Sequence, residues 1–503
     1  MPARARSVAS LVAVLVAGSV LLSASGQLSG SAAAIQLQLA DLLYAQSDYR
    51  AALGVYQRVI GTDERDLSLR ARMGTVRSAL QISQFRLAAT HAATLRTLAA
   101  ADPDALTLCG DSLWASGQFD EAEEAYREAL DRNPTWPRAH RGMAKALASR
   151  NQMEEAFHES QAALRSGGDD PEVHQTAGAI LERLRRFDEA AAEYSQYVDL
   201  TPEASRYERG AYVRSQINFL RSFKGHKPFE IVSTPGTRQY TVPFRLENDK
   251  VMITVKLNGE KTDMTLDTGA EQTVVSAKMA RRLGLPVMGL TLSAGVGMIG
   301  VRGLQISKIE QIEIGALKVR NVTVLIKNPA LEGMPSGEPD CLSPLALGMS
   351  VTVDYKARRV TLGEPDQQDV KAAYELPLRM TRLATVQGTV NGEPARFIVD
   401  TGGQVISLNT DMARSLFKPA ERRKIALRVY GSSGLDPEAY LLPGVSLSFD
   451  EMRLPTQPVV VLNLRAPSVL LGYNIGGIIG HKLLSKYRVE FNLEKSVLRL
   501  RDM

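Results

Sequence analysis

The chain has 503 residues, 44% hydrophobic and 23% charged, with a formal net charge of +5. That length leaves room for about three domains, and the composition is that of ordinary globular protein rather than a disordered or fibrous one. The small basic excess forms no long Lys/Arg run, and two cysteines, Cys109 and Cys341, are too few for a disulfide framework or a cysteine zinc site. Nucleic-acid binding and structural-metal classes are therefore set aside.

At the start of the chain, Arg4 and Arg6 precede a short apolar run, Leu11 to Leu22, which leads into small residues at Ser23-Ala24-Ser25-Gly26. This is the pattern of an export signal over residues 1–26, and the run is short for a membrane span. The expected location is periplasmic or secreted. Membrane contact is expected only if the segment stays on as an uncleaved anchor, with the rest of the chain facing outward.

Residues 35–203 are rich in Ala, Leu, Glu and Arg, a helix-forming composition. Phe85, Phe119, Met153 and Phe187 recur every 34 residues, each followed three positions later by Ala88, Ala122, Ala156 or Ala190. Gly110 and Gly178 precede Phe119 and Phe187 by nine, and Pro134 and Pro202 follow them by fifteen. Small residues at fixed positions let two helices per unit cross closely, while the large apolar residue fills the gap to the next unit. The pattern resembles the tetratricopeptide repeat family, in about five units. That resemblance implies an α-solenoid whose concave face binds peptides or partner proteins. The segment up to residue 222 reads as a capping helix, which extends the helical domain to 35–222.

Residues 223–239 carry Gly225, Pro228, Pro235 and Gly236 and read as a linker. From Tyr240 the pattern turns strand-like, with Asn258-Gly259 and later Asn391-Gly392 as hairpin signals. Two stretches, 240–363 and 374–503, read as copies of one mostly β unit, joined by a linker at 364–373. Each copy ends in a similar hairpin pattern, Val351 to Leu362 and Val489 to Leu500.

Each copy also contains Asp-Thr-Gly, at Asp267-Thr268-Gly269 and Asp400-Thr401-Gly402. One such tripeptide is expected by chance in roughly one chain in ten of this length. Here the flanks match as well. An apolar stretch precedes each triplet, Asn-Gly-Glu starts nine residues before each Asp, and Met-Ala-Arg starts twelve residues after, at Met279 and Met412. If the copies pack about a twofold axis, Asp267 and Asp400 face each other and share one proton. Thr268 and Thr401 can donate their hydroxyls to backbone of the opposite copy, and Gly269 and Gly402 permit the sharp turns. Such a pair activates water with neither metal nor cofactor.

These residues resemble the retropepsin-like aspartic proteases, with two halves fused in one chain. The resemblance implies Asp267 and Asp400 as the catalytic pair, supported by Thr268, Gly269, Thr401 and Gly402. It also implies glycine-bearing flaps at Gly295-Val-Gly297 and at Gly431-Ser-Ser-Gly434. The family's apolar-apolar-Gly sequence appears as Ile478-Ile479-Gly480, but the first half has Cys341-Leu342-Ser343. The second active loop also departs from the family, with Gly403 where Ala is usual and Ile406 where a hydroxyl residue is usual. The fold expected is multidomain α + β: an all-α solenoid, then a mostly β, pseudo-twofold pair of barrel halves. The function expected is an aspartic endopeptidase acting on peptide or protein substrate, with a protein partner or substrate held by the repeats. The competing reading is a catalytically inactive pair of halves in a periplasmic adaptor that works through its repeats.

Overall fold

The structure is a computed structural model. It describes residues 30–201, 209–232, 236–297, 300–327, 340–365, 371–418 and 425–503. The export-signal segment expected at 1–26 lies outside the described residues. Among those described, no helix is long and apolar enough to cross a membrane.

Ten helices from Gly30–Ala45 to Phe187–Leu200 form antiparallel pairs stacked side by side. The recurring large residues have a common place: Tyr49, Phe85, Phe119, Met153 and Phe187 each open the second helix of a pair. The turn before each is closed by a residue with left-handed backbone, Ser47, Ser83, Gly117, Asn151 or Arg185. The alanines three residues into these helices (Ala52, Ala88, Ala122, Ala156 and Ala190) have no exposed surface. The glycines of the first helices make room for an aromatic ring. A Cβ on Gly110 would lie 2.5 Å from Tyr126, and one on Gly178 would lie 2.8 Å from Tyr194. That spacing is too short for a carbon contact, so these two crossings close only without a side chain.

The helix Arg209–Arg221 packs on the last repeat helix, Phe187–Leu200, and also on the strand Gly289–Ser293 of the first β half. It is therefore a brace between solenoid and β region rather than only an end cap. The segment read as a linker at 223–239 is also anchored. Glu230–Ile231 pairs antiparallel with the strand Leu317–Ile326. Phe223 and Phe229 are buried, Phe223 edge-on to Phe187 at 4.9 Å and Phe229 beneath Arg185 at 4.3 Å. Two large aromatics in a Gly/Pro-bearing stretch gain more by burial than the stretch gains by staying loose.

Each β half contains a strand that leads into its Asp-Thr-Gly, Glu260–Leu266 or Glu393–Val399, flanked by a hairpin partner and by a short parallel strand, Cys341–Leu342 or Gly477–Ile479. The halves are joined by a shared run of six antiparallel strands in the order Gln239–Pro243, Arg359–Gly363, Ser350–Asp354, Tyr487–Asn492, Val497–Asp502, Tyr374–Met380. Three come from each half. The two terminal hairpins legible in the sequence lie side by side in it, Val351 opposite Phe491.

The solenoid is bonded to this β region along much of its length. Trp114, Phe119 and Tyr126 share a buried cluster with Ile398, Val460, Tyr473 and Ile475 of the second half. Arg396, fully buried, donates from Nε to the Gly117 carbonyl at 2.9 Å and lies over the Phe119 ring. Arg379 pairs with Asp120, and Asn474 N–H donates to the Ala115 carbonyl.

Candidate active site

Each Asp-Thr-Gly follows its strand directly. The loop is held by a parallel neighbour: Asp267 N–H donates to the Leu342 carbonyl and Asp400 N–H to the Ile479 carbonyl, both at 2.9 Å. At this crossing the two halves exchange four hydrogen bonds. Thr268 Oγ1 donates to the Val399 carbonyl at 2.8 Å and Thr401 Oγ1 donates to the Leu266 carbonyl at 2.7 Å. Each hydroxyl also accepts the other threonine's N–H, at 3.0 and 3.1 Å. Thr268 and Thr401 have essentially no solvent exposure, so water cannot replace these bonds.

The threonine crossing forces the carboxyls together. Gly269 N–H donates to Asp267 at 2.9 Å, and Gly402 N–H donates to Asp400 at 2.7 Å. A Cβ on Gly269 would lie 2.4 Å from Asp400 Cγ, and one on Gly402 would lie 2.7 Å from Asp267 Cγ. Only glycine at both positions allows this approach. Gly403 has the same logic, because a Cβ there would come within 2.8 Å of Asp400 Oδ2. This accounts for Gly403 in the second loop.

The two carboxyls are hydrogen-bonded to each other. Burial raises Asp267 far above the usual carboxylate range, and the charge and hydrogen bond of Asp400 raise it further. Burial also raises Asp400, while bonds from Asp267, Gly402 and Gly403 pull it back. The physical content is one proton retained by two carboxyls that titrate as a unit. Lys250 tempers both from nearby. Both residues keep part of their surface exposed.

The flap glycines of the two halves meet each other. The hairpin Gly289–Ser293 with Arg302–Ile314 brings Gly295 and Gly297 to the tip of the first, and Val429–Gly431 with Gly434–Asp436 forms the second. Gly295 N–H donates to Ser433 Oγ at 3.0 Å, and Ser433 N–H donates to the Val296 carbonyl at 2.9 Å. Arg302 adds a bond to the Ser432 carbonyl at 2.6 Å. Gly297 has φ +136°, and a Cβ there would lie 2.4 Å from the Ser433 carbonyl; a Cβ on Gly431 would lie 2.3 Å from the Val296 carbonyl.

Several neighbours have no signal in the sequence. Glu271, two residues past Gly269, pairs with Arg382 of the second half. Tyr355 stands close enough to Asp400 for its phenol to be raised by that charge, after burial as the main cause. Its ring is edge-on to His481 at 5.3 Å, and burial lowers the imidazole. Their positions depend on the six-stranded sheet, a long-range pairing that local patterns do not encode.

Known proteins place these regions. Residues 253–351 match the gag-polyprotein aspartyl protease model, 386–481 match an aspartyl protease model, and 113–180 match a tetratricopeptide repeat model. No curated protein matches the chain. Among solved structures, a thermophilic tetratricopeptide protein of Thermus thermophilus is 19% identical, covering 38% of this chain and 99% of its own, with a TM-score of 0.33. The aspartic proteinase of Irpex lacteus is 13% identical, covering 53% of this chain and 97% of its own, with a TM-score of 0.34. The chain thus joins a helical region of tetratricopeptide type to two retropepsin-like aspartyl-protease halves fused in one polypeptide.

Proposed function

We propose that the chain is an aspartic endopeptidase whose solenoid holds the substrate. The observation that carries this is the close approach of Asp267 and Asp400 across the two loops, enforced by the reciprocal threonine bonds; two such carboxyls share one proton. Ionised Asp400 takes a proton from a water while protonated Asp267 donates to the scissile carbonyl, so the attack forms a neutral diol rather than a bare oxyanion. The leaving amine then recovers a proton from the pair. The touching flaps fit a roof that opens for substrate and closes over it, excluding bulk water.

The test is digestion of an unfolded protein mixture by the full chain, by Asp267→Asn and by Asp400→Asn. The expected result is cleavage by the unsubstituted chain alone, blocked by a transition-state mimic of pepstatin type that binds one per chain. Equal background cleavage by all three would replace this reading with the inactive adaptor. We further propose, from the pattern of residues 1–26, that the protein works outside the cytoplasm. Amino-terminal sequencing of the exported chain checks this, and an unprocessed chain in the cytoplasm would refute it.

A further inference from the structure

The cavity that exposes Asp267 does not stop at the β halves. Its wall continues along the inner face of the solenoid, so that Trp114, Lys145 and Arg183 line the same space as Asp267 and Gly402, about 3430 Å³ in volume. The lining is unbalanced in charge, with thirteen Lys or Arg against eight Asp or Glu. Most of these acids are already engaged. Asp104 and Asp170 pair with Arg138, Asp111 and Glu172 with Arg141, and Glu271 with Arg382.

Three cations along the path make no ion pair among the described residues. Lys145 lies over the Trp114 ring at 4.7 Å and makes no ion pair among the described residues. Burial lowers its ammonium to about 8. Arg183 donates to the Ala148 and Met380 carbonyls and to Asn151, all neutral acceptors, and burial lowers it to about 10. Lys250 stands beside the catalytic pair and also makes no ion pair among the described residues. A cation crowded by protein and denied an anion is costly. Several placed in sequence along one cavity are complementary to a ligand that brings its own negative charges. Beside them, Leu290 and Val469 present exposed apolar surface to the same space.

Resting on the protease reading above, we propose that the substrate is an acidic, extended polypeptide: its carboxylates meet Lys145 and Arg183 on the solenoid while the bond to be cut lies between Asp267 and Asp400. Extended chain rather than a folded domain follows from the enclosure, since the flap tips touch on one side and the solenoid forms the other wall.

The test uses the full chain bearing Asp267→Asn, so that binding is read without cleavage. Labelled peptides of one apolar framework, with Glu, Gln or Lys at the same variable positions, are titrated by fluorescence anisotropy. The Glu peptide is expected to bind about tenfold or more tighter than the Gln peptide. That advantage should shrink as salt is raised. Lys145→Glu or Arg183→Glu should remove most of it, read as the ratio of Glu-peptide to Gln-peptide affinity within each variant. Equal binding of Glu and Gln peptides, or an advantage indifferent to both salt and charge reversal, would overturn the proposal. The salt titration needs no solenoid substitution, so a misfolded variant does not block the answer. Failure of the two readings is separable. Tight Glu-peptide binding by a chain that never cleaves would remove the protease alone. Equal kcat/KM for the Glu and Gln peptides would remove only the acidic preference.

Discussion

Ser343 donates from Oγ to the Ala270 carbonyl at 2.6 Å, at the position that Gly480 holds in the other half. In the second half, a Cβ on Gly480 would lie 2.6 Å from the carbonyls of both Gly403 and Val405. The first loop therefore turns a would-be clash into a bond. Substitution should be asymmetric. Ser343→Gly loses one hydrogen bond, about 1 kcal/mol, and keeps the loop. Gly480→Ser must displace backbone at the active loop and should abolish activity. Thermal melts and peptide turnover of both variants check this.

The threonine crossing predicts a steep response to removal of a hydroxyl. Thr268→Val leaves the Val399 carbonyl and the Thr401 N–H without partners in a buried site. The expected loss is about 1–3 kcal/mol for each orphaned group, read from urea unfolding. Thr268→Ser keeps the hydroxyl and should recover most of it. Turnover should fall more than KM rises, because the carboxyl spacing is what the crossing maintains.

The shared proton has a pH signature. Both aspartates are raised in the folded state, so their contribution to stability is full below the ordinary carboxylate pKa and is lost as pH rises through the folded value. Unfolding free energy of the unsubstituted chain should therefore fall from acidic toward neutral and alkaline pH. Asp267→Asn removes the like charge and should flatten that slope, becoming the more stable protein at high pH while losing activity. Activity of the unsubstituted chain should decline over the same alkaline range as the pair loses its proton.

The touching flaps predict an effect on substrate capture. Gly297→Ala adds a side chain where 2.4 Å separates it from the Ser433 carbonyl, at a φ that disfavours any Cβ. The tips should part. KM should rise more than kcat falls, and Ser433→Ala, which loses the bond from Gly295, should do the same more mildly.

Arg396 tests how firmly solenoid and β region are joined. Its truncation to Ala leaves a cavity under Phe119 and an unpaired Gly117 carbonyl, at a cost of roughly 2–4 kcal/mol. A single unfolding transition in the unsubstituted chain should split into two in Arg396→Ala, with the solenoid melting apart from the halves.

The repeats and the halves were legible because each is a local pattern used more than once. Phe119 and Ala122, or Asp267 and Asp400, stand out by recurrence. What joins the units was not legible. Arg396 reads as a surface cation in an apolar strand, and only the contact with Gly117 explains its burial. The same holds for the brace helix Arg209–Arg221, whose Ser215 Oγ accepts the Leu290 N–H at 2.6 Å. Lys145 likewise looks like an ordinary helical lysine until the β region closes the cavity around it. Such contacts are set by pairings 75 residues apart for Ser215 and Leu290 and 279 apart for Gly117 and Arg396, with no periodic trace in the sequence.

The order of the six shared strands has a consequence for the tether at 364–373. Gly363 ends the second strand of the run and Tyr374 begins the sixth, four ladders away. Across four ladders the separation is about 19 Å, and the register adds about 10 Å along the strands, for roughly 22 Å on the diagonal. Eleven extended steps reach about 36–40 Å, more than the crossing requires. Removing six residues would leave about 17 Å, less than the crossing requires. A chain so shortened should meet its complement in another molecule and emerge as an exchanged dimer.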